Sequence, residues 1–135
     1  MDQVDMYLDP AAYLEIARIC QNATVELKKI NGATMVLMPQ PISESMVTKT
    51  AERGDTPLNV RKRKQLWFCI NMGWNFATDD EKIGTVSMDT LQQIDAYTKE
   101  KILFDPFVFL NDAYFTQNPF EGYGTNVKQK LKATA

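Results

Sequence analysis

Two hydrophobic periods alternate along the chain, one near 3.6 residues and one of two, and they predict helices and strands in turn. Asp9 can cap a helix with Pro10 in its first position. Tyr13, Ile16, Ala17, Cys20, Thr24 and Leu27 then recur at helical spacing until Asn31-Gly32 stops the run. Met35, Val36, Leu37 and Met38 form a continuous apolar run within 33–38, the pattern of a strand covered on both faces, and Pro39 and Pro41 end it. Ser43 is placed to cap a short helix, with Ile42 and Val47 forming a staple across its start and Gly54 closing it. Residues 55–64 are polar and read as a loop.

Alternation is clearest over 65–76, where Leu66, Phe68, Ile70, Met72, Trp74 and Phe76 share one face of a predicted strand. Thr78 and Glu81 have the spacing of a capping box, and a long helix should follow to about Leu103 with Ile83, Val86, Leu91, Ile94 and Tyr97 as its apolar stripe. Asp79 to Glu81 suit the positive end of that helix. Phe107-Val108-Phe109-Leu110-Asn111 reads as a third strand, 117–124 as a Pro- and Gly-containing loop, and Thr125 as the start of a last helix through Val127 and Leu131. The order helix, strand, helix, strand, helix, strand, helix predicts an α+β fold, and 135 residues suit a single domain over 1–135.

Composition narrows the chemistry. Apolar residues make up 44% and charged residues 24%, which is ordinary globular usage. A formal net charge of −2 gives no global attraction to nucleic acid or to an anionic membrane. The dense basic run Arg61, Lys62, Arg63 and Lys64 reads as a solvated loop in preference to a phosphate patch or an import signal. Cys20 and Cys69 lie in apolar surroundings without CxxC spacing, so buried free thiols are expected and no metal site. Met1 to Tyr7 include Asp2 and Asp5 and no apolar stretch, and no apolar run is long enough to cross a membrane; the expectation is a protein without signal peptide, cytoplasmic by default. Asn22-Ala23-Thr24 is a glycosylation sequon in pattern, but it falls within a predicted helix. The chain has no histidine at all, which removes imidazole bases, the commonest zinc and iron ligand, and every Ser/His or Cys/His pair.

Over its last two thirds the chain carries an ordered set of short motifs. They are Arg53-Gly54 followed by Thr56-Pro57-Leu58, Trp74 at the strand end with Asp79-Asp80 at the helix start, and Phe107-Val108-Phe109-Leu110-Asn111-Asp112-Ala113. Gln117-Asn118-Pro119, Tyr123-Gly124 with Asn126, and Lys130-Leu131 complete the set. In order and spacing this resembles the C-terminal, substrate-side region of FAD-linked oxidoreductases of the berberine bridge enzyme-like and hydroxynicotine oxidase-like family, within the vanillyl-alcohol oxidase type. That family includes fungal oxidases of secondary metabolism. The resemblance implies an antiparallel sheet with helices packed on one face, roofing the flavin ring and shaping the substrate cavity.

In that family an aromatic residue and an asparagine of the strand matching 107–113 face the cavity, and Phe109 and Asn111 hold those positions here. Trp74 belongs to the same substrate- and flavin-facing set by resemblance. Many members carry Tyr where this chain has Phe109, which removes a hydroxyl able to bind substrate or assist proton transfer. Core packing is the favoured reading of Phe109, whereas Asn111 reads equally as a cap on the strand end.

The family's flavin domain, with its pyrophosphate loop and its covalently linking histidine, has no counterpart here, nor has its closing Lys-Tyr-Asp-Pro run. Gly54, Gly73, Gly84, Gly122 and Gly124 are scattered without a phosphate-cradling motif. The expectation is a truncated homologue that binds no cofactor alone and is inactive by itself, with FAD implied by the family. Two alternatives stay open. One is a subunit that docks on a separate flavin-domain protein, or associates with itself through the sheet, so that hydride passes from a small-molecule substrate to the flavin. The other is a small cofactor-free α+β ligand-binding module, in which Asp112 or Glu121 transfers protons if burial raises its pKa.

Overall fold

The computed structural model describes residues 9–54 and 58–134; the leader reading of Met1 to Tyr7 and the motif residues Thr56 and Pro57 lie outside the described residues. The chain forms two compact units. The first comprises Met1–Gln40 and Leu66–Phe104, the second Pro41–Gln65 and Asp105–Ala135.

In the first unit, helix α1 spans Pro10–Leu27. The Asp9 carboxylate accepts from the Ala11 and Ala12 amides, satisfying two of the donors that a helix start leaves open. Strands β1, Thr34–Ile42, and β2, Gln65–Gly73, form a two-stranded antiparallel sheet in which Thr34 lies beside Gly73, its hydroxyl donating to the Gly73 carbonyl at 3.5 Å. Helix α3, Asp80–Glu100, completes the unit. Ile16, Ile19 and Cys20 of α1 meet Ile94 of α3 in one buried cluster, against which Met35, Leu37, Phe68, Ile70 and Tyr97 pack. Leu27, Ile30 and Ile83 make a second with Ala33, Met35, Met72 and Val86. The fold is therefore α+β, with α1 and α3 on one face of the sheet.

Several expectations are corrected here. β1 runs through both prolines to Ile42 and alternates instead of being covered on both faces, with Val36 53% exposed. It is an edge strand, where a residue without an N–H removes no ladder bond, so Pro39 and Pro41 are tolerated and protect that edge. β2 ends at Gly73, three residues early, and leaves Trp74 and Phe76 exposed instead of on the core face. The Thr78 capping box does not form. Ala77–Asp79 is a 3-10 turn, α3 begins at Asp80, and no side chain caps its first amides. The α3 stripe has Thr90 and Thr98 fully buried, because their hydroxyls bond the Val86 and Ile94 carbonyls one turn back and so enter the core already satisfied.

α3 closes with a Schellman geometry. The Leu103 amide reaches the Thr98 carbonyl at 2.8 Å and the Ile102 amide the Lys99 carbonyl at 3.2 Å. The pivot is Ile102 at φ 59, a left-handed conformation that usually takes glycine and is strained for a β-branched side chain.

The second unit contains helices α2, Glu44–Glu52, α4, Pro119–Gly122, and α5, Thr125–Thr134. The Ser43 hydroxyl caps α2 at the Met46 amide, as expected from the sequence. The predicted third strand does not form. Residues 103–109 are irregular and belong to no sheet, with Phe109 itself extended, and Leu110–Asp112 coil into a 3-10 turn. High β-propensity at Phe107-Val108-Phe109 is not enough without a partner strand in register.

Candidate functional site

The stretch 105–124 in the second unit gathers most of the motif residues, and its geometry follows from a few pins. The Asp105 carboxylate accepts from the Phe107 amide at 3.0 Å, folding the chain around Pro106. The same carboxylate pairs with Arg63 at 2.6 Å and Arg61 at 3.2 Å, so the basic run is anchored at alternate residues instead of being wholly solvated. The Gln65 side-chain amide also closes this loop by donating to the Arg61 carbonyl.

Phe109 is half-buried, and its carbonyl accepts the Asp112 amide at the start of the 3-10 turn. Asn111 is exposed within that turn. The two thus share one local structure, while Trp74 belongs to the first unit. There the Trp74 indole N–H donates to the Asp80 carboxylate at 2.7 Å, which fixes the ring beside the start of α3 at 37% exposure. Asp112 and Glu121 are exposed, so the burial on which a proton-transfer role depends is absent. Glu121 instead accepts from the Asn118 amide group.

The residue that sequence reasoning missed is Tyr123. It is 1% exposed, among the most completely buried large side chains of the described residues. Its ring stacks on Phe107 at 5.5 Å and meets Phe120 edge-on at 5.9 Å. Its carbonyl accepts from the Asn59 side chain at 2.9 Å across 64 residues of chain. Its hydroxyl is buried with no hydrogen-bond partner among the described residues. Flanking glycines explain the fit. A Cβ on Gly122 would lie 2.3 Å from the Pro106 carbonyl oxygen, and Gly124 sits at φ 87. A large aromatic residue between two glycines was the available signal.

Cys20 and Cys69 are both buried and neither is in a disulfide, and burial pushes the Cys20 thiol above its ordinary value, so Cys20 is a packing group and a poor nucleophile. Among the described residues no three His, Cys, Asp or Glu side chains are placed to hold a metal ion, and no helix is long and apolar enough to cross a membrane. The starts of α3 and α2 do not suit a flavin pyrophosphate. The longest helix start is occupied by Asp79, Asp80 and Glu81, and α2 opens on Glu44, where a phosphate would meet like charge. No glycine-rich turn leads into any of these helices.

No family model matches the chain, and no solved structure matches it. Curated relatives do. The bifunctional solanapyrone synthase of Alternaria solani is 44% identical over 131 residues, which is 97% of this chain and 25% of that protein. An FAD-dependent monooxygenase of Arthrobotrys oligospora is 30% identical over 100 residues, covering 74% of this chain and 20% of the relative. Another, from Fusarium proliferatum, is 26% identical over 133 residues, with 96% and 25% covered. The chain spans a quarter or less of the length of these relatives. It is related to a quarter-length stretch of fungal FAD-linked oxidoreductases.

Proposed function

We propose that these residues are the substrate-side portion of an FAD-linked oxidoreductase of the berberine bridge type, serving natural-product biosynthesis and holding no flavin by themselves. The observation that carries this reading is the similarity of nearly the whole chain to a quarter of relatives, several of which are named FAD-dependent. In this reading Phe109, Asn111 and Trp74 face substrate and flavin, and the flavin is held by other polypeptide. Phe115, 84% exposed in the second unit, favours such an additional surface, since a fully exposed phenylalanine gains from being covered.

An absorbance spectrum from roughly 300 to 550 nm, taken before and after incubation with FAD and gel filtration, tests the proposal. The expected spectrum carries no flavin bands. Bands that persist through the column, at one flavin per chain, would show that the chain holds flavin alone and would overturn the substrate-side assignment.

A further inference from the structure

Tyr123 poses a physical question that packing alone does not answer. Its ring is needed where it is, held between Phe107 and Phe120, with Gly122 seated against Pro106 and the Asn59 side chain bonded to its carbonyl. A phenylalanine would fill the same space. The hydroxyl adds only a buried polar group without a hydrogen-bond partner among the described residues, and such a group works against the closed arrangement. The surrounding structure offers little to oppose it. Among the described residues the second unit has no strand of its own beyond the ends of β1 and β2, α4 is a single turn, and the segment before it is held by turns and by the Asp105 pairs.

We propose that Phe107, Tyr123 and Phe120 form an aromatic clasp that opens as a local unit, without disruption of the α1–α3 core, and that the Tyr123 hydroxyl sets its equilibrium towards the open form. In the open form the phenol is hydrated. In the closed form it is not, and Asn59 acts as the latch that opposes its release. Asn59 suits this role because it sits at φ 51, a left-handed conformation that asparagine tolerates, and so presents its side chain to the Tyr123 carbonyl from a loop distant in sequence. Phe109 and Asn111 lie on the stretch that Phe107 anchors. If they are the substrate-facing residues, as in the function proposed above, closing the clasp is what positions them.

Hydrogen exchange on the intact chain, read by segment, tests the clasp without reference to flavin or substrate. Amides of 119–131 should exchange at least tenfold faster than those of Ile16–Cys20 and Val86–Ile94. Tyr123→Phe should slow exchange in the clasp by roughly 5- to 150-fold, the ratio that corresponds to about 1–3 kcal/mol of unmade hydrogen bond, and leave α1 and α3 unchanged. Asn59→Ala should speed it. Unchanged or faster clasp exchange in Tyr123→Phe would overturn the proposal, because the hydroxyl would then carry no penalty or already have an acceptor in the closed state. A single common rate for both units, shifted equally by the variants, would overturn it as well.

Discussion

The two units show how differently one chain can stabilise its parts. The first stacks two helices on a sheet, and its two clusters bury Ile16, Ile19, Cys20, Leu27, Ile30, Ile83 and Ile94. The second has, among the described residues, Tyr123 as its one large, fully buried side chain and otherwise relies on polar pins, namely Asp105 with two arginines and Asn59 with the Tyr123 carbonyl. Charge divides the same way. The first unit holds eleven acidic and six basic residues, a net −5, and the second six acidic and nine basic, a net +3. A net charge of −2 for the whole chain conceals that contrast. What the difference teaches is that apolar burial can define a unit without special residues, whereas a unit poor in apolar burial depends on particular ones, each of which can be removed to test it.

The largest effect should come from the first core. Ile16 is fully buried, and Ile16→Ala should lower stability by about 2–5 kcal/mol, the range for emptying such a site, read as a shifted denaturant midpoint with an unchanged slope. A smaller and more local effect is expected from Gly122→Ala, whose new methyl meets backbone at Pro106. It should cost about 1–3 kcal/mol and abolish the ring-current shifts between Phe107 and Tyr123 in proton NMR, while the methyl signals of Ile16 and Ile94 stay in place. Loss of both sets of signals together would erase the distinction between the units. The smallest change should be a gain. Ile102→Gly relieves the left-handed strain at the end of α3, offset by the greater freedom of glycine in the unfolded chain, for a net of about 0.5–1 kcal/mol and roughly 2–4 °C in the thermal midpoint.

Much of the first unit was legible in the sequence because its signals are local. The Asp9-Pro10 start and the alternation of Leu66, Phe68, Ile70 and Met72 each specify an outcome within a few residues, as the Ser43 cap does in the second unit. Thr90 and Thr98 were hidden because hydroxyls bonded to their own helix behave as small apolar groups, which a polar reading of threonine misses. The strand expected at 107–111 had the right composition, but a strand requires a neighbour, and only the two strands of the first unit pair. Tyr123 belongs to the motif set, but its burial is not legible there, since it depends on Asn59 and Pro106, both distant in sequence. The candidate residues Phe109 and Asn111 were placed by resemblance, and the structure adds that both lie at one turn.

The order in which the two units share the chain has a consequence for how the protein can be made. The first unit is begun by residues up to Gln40, left, and resumed at Leu66, while the second is begun at Pro41 and resumed at Asp105. During synthesis, Ile16 and Ile19 therefore emerge long before Ile94, their partner on α3, and the first core can close only once α3 has been made. No single cut yields either unit whole. An expression fragment that stops before α3 leaves the apolar faces of α1 and β1 bare, so this chain is to be produced, and dissected, only by substitution within its full length or by rearranging its connections.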